Sequence, residues 1–122
     1  MDAFKLQQGV PALSILLAAG HSVKSVQSAR DGLAEVLHDS PDVLLLNLVM
    51  PKISGTSFLE IIRSNLRLET LPVVVYTDPV DGPTIDRVRA MRVNHVLVKT
   101  RATAEEFGNA IQNAVEASRK SA

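Results

Sequence analysis

The sequence predicts a single doubly wound α/β domain built on a parallel sheet. Three short apolar runs, Val43-Leu44-Leu45-Leu46, Val73-Val74-Val75-Tyr76 and Val96-Leu97-Val98, are continuous rather than alternating, as strands covered on both faces require. Segments with helical period separate and follow them, and strands that alternate with helices over short connections imply right-handed βαβ crossovers. A length of 122 residues suits one core and is too short for two, so the domain is expected to run from residue 1 to 122.

The elements follow in order. Met1 to Gly9 is atypical: Ala3-Phe4-Lys5-Leu6 is too polar for a central buried strand, so the first strand is expected to be degenerate or missing. Pro11 suits the first turn of a helix through Leu13, Leu16 and Leu17 to a stop at Gly20. Ser22 to Val26 alternates Val23 and Val26 with polar neighbours and reads as a strand at or near an edge. Leu33, Val36 and Leu37 form one helical face after Asp31-Gly32, and Phe58, Leu59, Ile61, Ile62 and Leu66 another after Ser54-Gly55. Thr84 to Met91 carries Ile85, Val88 and Met91. The final helix has the stripe Phe107, Ile111, Ala114 and Val115, and Thr103 with Glu106 three residues on forms its capping box. Residues 118–122 read as a frayed tail.

Composition removes several function classes. The chain is 46% hydrophobic and 21% charged, with thirteen Lys and Arg against thirteen Asp and Glu. That balance supplies no basic field for a phosphate backbone or an anionic membrane surface, so no nucleic acid and no membrane is expected among its partners. Without cysteine there is neither a disulfide nor a thiolate metal site. No apolar stretch approaches the length of a membrane span and the N-terminus has no charged region followed by an apolar run, so a cytoplasmic location is expected. His21, His38 and His95 share no metal-like spacing. No Ser/His/Asp set, phosphate-cradling loop or paired-carboxylate arrangement emerges, so an enzyme is not expected.

One motif is more specific. Asn47-Leu48-Val49-Met50-Pro51-Lys52-Ile53-Ser54-Gly55 follows the first apolar run, Thr77 ends the second and Lys99 ends the third. From about Pro11 to Val115 the chain resembles response-regulator receiver domains, which carry an acidic pair after the first strand, D-x-x-M-P-x-x-x-G after the third, Thr or Ser ending the fourth and Lys-Pro ending the fifth. The resemblance implies a flavodoxin-like sheet of order 2-1-3-4-5 and a role in two-component signal transduction.

The departures from that pattern bear on function. Family members use an Asp at the position of Asn47 to attack a phosphoryl donor, which a neutral carboxamide does poorly. They also hold Mg²⁺ between that Asp and the acidic pair, because a small hard cation needs charged oxygen ligands. Counting back from Gly20-His21 places the pair on Ala3 and Phe4, which supply no ligand, and Asp2 is a lone carboxylate. Thr100 stands in place of the family's Pro, Val96 in place of its switching aromatic residue, and Arg92 where Gly is usual.

The expected function is therefore that of a pseudo-receiver: a protein-binding module with no Mg²⁺, no cofactor and a degenerate phosphorylation site at Asn47, Thr77 and Lys99. By resemblance its interaction surface comprises the penultimate helix, last strand and last helix, with Arg87, Met91, His95, Val96, Phe107 and Ile111. Two alternatives stand beside it. One moves the phosphoacceptor to Asp78, and the other makes the strand ends a small-anion sensor around Lys99. The simpler reading of Lys99 is a hydrogen bond to Asn47 and nearby carbonyls, and of Asp78 and Asp81 a role as turn formers beside Pro79 and Gly82. A missing first strand opens the sheet near its middle, so a rearranged N-terminus and a homodimer are also expected.

Overall fold

The computed structural model describes residues 2–6, 22–26, 29–38, 40–49 and 53–120. Its strands are β1 (Asp2–Leu6), β2 (Ser22–Val26), β3 (Val43–Leu46), β4 (Val73–Thr77) and β5 (His95–Val98). The described helices are α1 (Ala29–His38), α2 (Gly55–Ser64), α3 (Gly82–Arg89) and α4 (Ala104–Lys120). All four strand pairings are parallel and the order is β2-β1-β3-β4-β5. The doubly wound sheet expected from the sequence is present, with β2 at one edge and β5 at the other. The helix expected between Pro11 and Gly20 lies outside the described residues.

The N-terminal expectation is corrected. Asp2–Leu6 pairs with β2 along its whole length and with Val43–Leu46 on its other side, so the middle of the sheet is closed. Backbone hydrogen bonding on both sides outweighs the weak strand character of Lys5, since a ladder satisfies every N–H and C=O whatever the side chain. Among the described residues the sheet is not opened at β1, so the ground given for a homodimer falls away, while the rest of the Met1 to Gly9 segment lies outside the described residues.

The apolar runs are continuous because successive side chains enter two different cores. Leu44, Leu46, Val73 and Val75 pack with Val36 of α1, Phe58, Leu59 and Ile62 of α2 and Val88 of α3. Val43, Leu45 and Val74 point the other way, onto Phe107, Ala110, Ile111, Ala114 and Val115 of α4. Each large side chain sealed this way contributes about 1.5–3 kcal/mol of hydrophobic stabilisation. β5 is only half-buried along its length, as an edge strand with one neighbour.

Helix boundaries follow their caps. Ser54 Oγ accepts from Ser57 N–H at 3.1 Å to start α2, and Asp81 Oδ1 accepts from Thr84 N–H at 2.8 Å to start α3. α3 thus opens at Gly82-Pro83, two residues before the expected start. The Thr103 box is formed in both directions: Glu106 N–H donates to Thr103 Oγ1 and Thr103 N–H donates to Glu106 Oε1, each at 3.1 Å. Leu66 is corrected out of the α2 face, because the helix ends at Ser64 and Leu66 is 84% exposed. Leu68 takes its place in the core.

Candidate functional site

Parallel strands deliver their C-terminal ends to one edge of the sheet, and Asn47, Thr77 and Lys99 arrive there together. Asn47 follows β3, Thr77 closes β4 and Lys99 follows β5, whose ladder continues as Lys99 N–H donates to Thr77 O at 2.9 Å. Gly55 brings the chain after β3 back against this edge. Its N–H donates to Leu48 O at 2.9 Å, and a Cβ on it would lie 2.5 Å from Asn47 O and 2.6 Å from Leu48 Cα. Only glycine lets the first turn of α2 approach the Asn47 backbone so closely.

The Asn47 side chain is engaged at both ends. Its Oδ1 accepts from Val49 N–H at 3.0 Å, from the Thr77 hydroxyl at 2.9 Å and from Asp78 N–H at 3.3 Å, while Nδ2 donates to Asp78 Oδ2 at 3.0 Å. This division of acceptor and donor fixes the carboxamide's orientation, since a flip would set its NH₂ against two backbone N–H groups. Thr77 is fully buried. Its hydroxyl accepts from Leu48 N–H at 3.1 Å and shares its one proton between Asn47 Oδ1 and the Asp78 carbonyl, both 2.9 Å away.

Lys99 departs from the simpler reading of its sequence position. Its Nζ lies 3.7 Å from Asp78 Oδ1 and 5.8 Å from the centroid of the Tyr76 ring, and no hydrogen bond joins it to Asn47 among the described residues. Asp78 supplies a negative partner for the cation, at a side chain half open to solvent, where such a pair contributes little to stability. Tyr76 is itself set against Phe107, with ring centroids 4.7 Å apart. Asp78 is thus the residue that sequence reasoning undervalued. Its signal was a carboxylate directly after the Thr at the strand's C-terminal end, facing an amide on the neighbouring strand. Asp81, expected as a turn former, caps α3.

The expected acidic-pair positions are corrected as well. Ala3 and Phe4 lie inside β1, level with Val43 and Leu44, whereas the strand's last residue, Leu6, is level with Leu46. The two residues that follow Leu6 in sequence are Gln7 and Gln8, and neither carries a charge. Among the described residues no three His, Cys, Asp or Glu side chains gather as a metal would need.

The proposed surface residues divide. Phe107 and Ile111 are each 1% exposed, sealed between α4 and the sheet, and are corrected out of any interaction surface. Met91 and Val96 are partly buried against the other core, and His95 is half-buried. Arg87 is exposed and paired with Glu60 of α2. Between α3 and β5 a groove of about 520 Å³ is lined by Val80, Ile85, Arg89, Val96, Val98 and Arg101, among others. Val96 therefore lies in its wall.

Comparison with known proteins agrees with this architecture. Two curated relatives match over part of their length: protein PilH of Pseudomonas aeruginosa, 29% identical over 58 residues, 48% of each protein, and the probable methanogenesis regulatory protein FilR2 of Methanothrix harundinacea, 32% identical over 83 residues, 61% of this chain and 54% of that one. The chain spans about half the length of these relatives. Among solved structures, a CheY-like receiver domain protein of Methanospirillum hungatei superposes with a TM-score of 0.87 at 14% identity, covering 99% of this chain and 98% of that one. Chemotaxis response regulator CheY4 of Vibrio cholerae gives 0.80 at 19% identity over 93% and 97%. The model of the response regulator receiver domain matches residues 9–112. With the motif edge, the strand order and this match in agreement, the chain belongs to the response regulator receiver domain family.

Proposed function

We propose that this receiver domain works without phosphorylation, as a module that binds another signalling protein. The observation that carries the reading is the engaged carboxamide of Asn47. A phosphoacceptor needs an anionic oxygen with a free lone pair, and Asn47 Oδ1 is neutral and already takes three donors. The donor set does not fit Mg²⁺ either. The carboxylate that contacts Asn47, that of Asp78, faces Lys99, and a divalent cation brought there meets an ammonium.

In this reading Lys99 is the edge's resident cation, and the Asn47, Thr77 and Asp78 bonds hold the β4–α3 connection in one arrangement. That connection runs straight into the groove wall at Pro79, Val80 and Gly82. A partner then meets a surface set by sequence, along α3 and β5 with Arg87, Met91, His95 and Val96. No described helix is long and apolar enough to cross a membrane, and a cytoplasmic partner is the reading we adopt.

Amide shifts around Asn47, Thr77 and Lys99, followed while Mg²⁺ is titrated, test the metal part. No specific change is expected, and saturable shifts at millimolar metal overturn it. A pull-down from the source cell, with and without a phosphodonor, tests the binding part: the same partner is expected in both, and capture that needs the phosphodonor overturns it.

A further inference from the structure

Far from Asn47, at the N-terminal ends of β4 and β5, a pocket of about 210 Å³ opens where α2 ends. Arg63, Glu69, Thr70, Arg92 and Asn94 are among the residues that line it. Arg63 is held by carbonyls alone: Nε donates to Met91 O at 2.9 Å, Nη1 to Leu71 O at 2.8 Å and Leu68 O at 3.3 Å, and Nη2 to Arg92 O at 3.2 Å. No carboxylate pairs with it among the described residues, and one Nη2 proton is left over. Burial first, and then the Arg92 charge, lower the Arg63 pKa from its ordinary value.

Arg92 adds a second cost. Its φ of 61° is in the left-handed region, the one positive φ at a non-glycine position among the described residues. Its exposed guanidinium has no acid partner there. Asn94 uses Oδ1 to accept from Val73 N–H at 3.0 Å, which leaves its Nδ2 as a donor, and Thr70 adds a hydroxyl. The pocket therefore gathers donors in excess of acceptors, two like charges and a strained backbone. A group that is acceptor-only and negative relieves the first two together.

We propose that this pocket binds a small oxyanion, a phosphate or carboxylate group, between the Arg92 and Arg63 guanidiniums with Asn94 and Thr70 as neutral donors. Glu69 opposes an anion, but two arginines against one glutamate leave the lining positive. The C-terminal dipole of α2 opposes it too. Its effect is muted because Ser64 Oγ donates to Ile61 O at 2.8 Å and Asn65 N–H to Ile62 O at 3.2 Å, occupying last-turn carbonyls.

The test is an amide and arginine Nε titration of the whole chain with inorganic phosphate and, separately, with acetate, ionic strength being held constant with sodium chloride. Saturable shifts at Thr70, Arg92 and Asn94 and at Arg63 Nε are expected with at least one probe. Response to phosphate alone assigns a phosphoryl ligand, and response to acetate alone a carboxylate. Arg92→Gly keeps the fold, because glycine takes the left-handed conformation freely, and is expected to weaken binding at least about tenfold through loss of charged hydrogen bonds. Glu69→Gln is expected to tighten it. Absence of saturation with both probes, or unchanged binding in Arg92→Gly, overturns the proposal.

Discussion

The Asn47 carboxamide donates to the Asp78 carboxylate at 3.0 Å, from the end of β3 to the residue after β4. Asn47→Asp turns this donor into a second acid against Asp78. One of the two carboxyls must then have its pKa raised by the other's charge, and the pair titrates as a unit. A raised folded-state pKa means that the folded protein holds a proton the unfolded chain releases. The penalty is therefore full above the folded pKa, shrinks as pH falls through it and is gone below the unfolded value. Urea unfolding is expected to show Asn47→Asp less stable by about 1 kcal/mol at neutral pH, with the deficit closing on acidification. A variant equally stable at both pH values contradicts the Asn47–Asp78 contact.

Gly55→Ala tests the close approach behind the site. Its Cβ would sit 2.5 Å from Asn47 O, a backbone atom that no rotamer change can move away. A loss of about 1–3 kcal/mol is expected, with amide shifts at Asn47 and Leu48.

Arg92→Gly is expected to act the other way. The substitution removes left-handed strain at φ 61° and adds chain entropy to the unfolded state, for a net gain of about 0.5–1 kcal/mol in thermal or urea unfolding. A destabilised variant would mean that the Arg92 side chain holds more than the structure gives it.

Asp81 caps α3 and its carboxyl is held below the usual carboxylate range, chiefly by the Thr84 side-chain hydrogen bond and then by the Thr84 backbone N–H. A depressed folded pKa contributes stability above the unfolded pKa that is lost as pH falls through the folded one. Asp81→Ala is accordingly expected to lower the melting temperature at neutral pH and to converge on the parent protein in acid. Asp81→Asn, which still accepts at the cap, is expected to lose less at neutral pH.

Much of this was legible in the sequence because the strands β3, β4 and β5 are buried on both faces and so carry unbroken apolar runs. The ordered landmarks Asn47, Gly55, Thr77 and Lys99 then placed the site at their C-terminal ends. β1 was misread because its pairing rests on backbone ladders on both sides, which leave no mark on the residue types at Lys5 or Asp2. Phe107 and Ile111 were assigned to a surface by resemblance, although their spacing on the α4 stripe already put them in the core. The role of Asp78 depends on a side chain reaching across from one loop to another, and strand periodicity carries no information about that.

The most direct test of phosphorylation-independent function is the intact mass of the chain after incubation with acetyl phosphate and Mg²⁺. An unchanged mass is expected, because the neutral Asn47 carboxamide is a poor nucleophile and no three His, Cys, Asp or Glu side chains gather among the described residues. A stable adduct of one phosphoryl group contradicts the account, and its loss in Asp78→Asn would show that the acceptor had moved to Asp78.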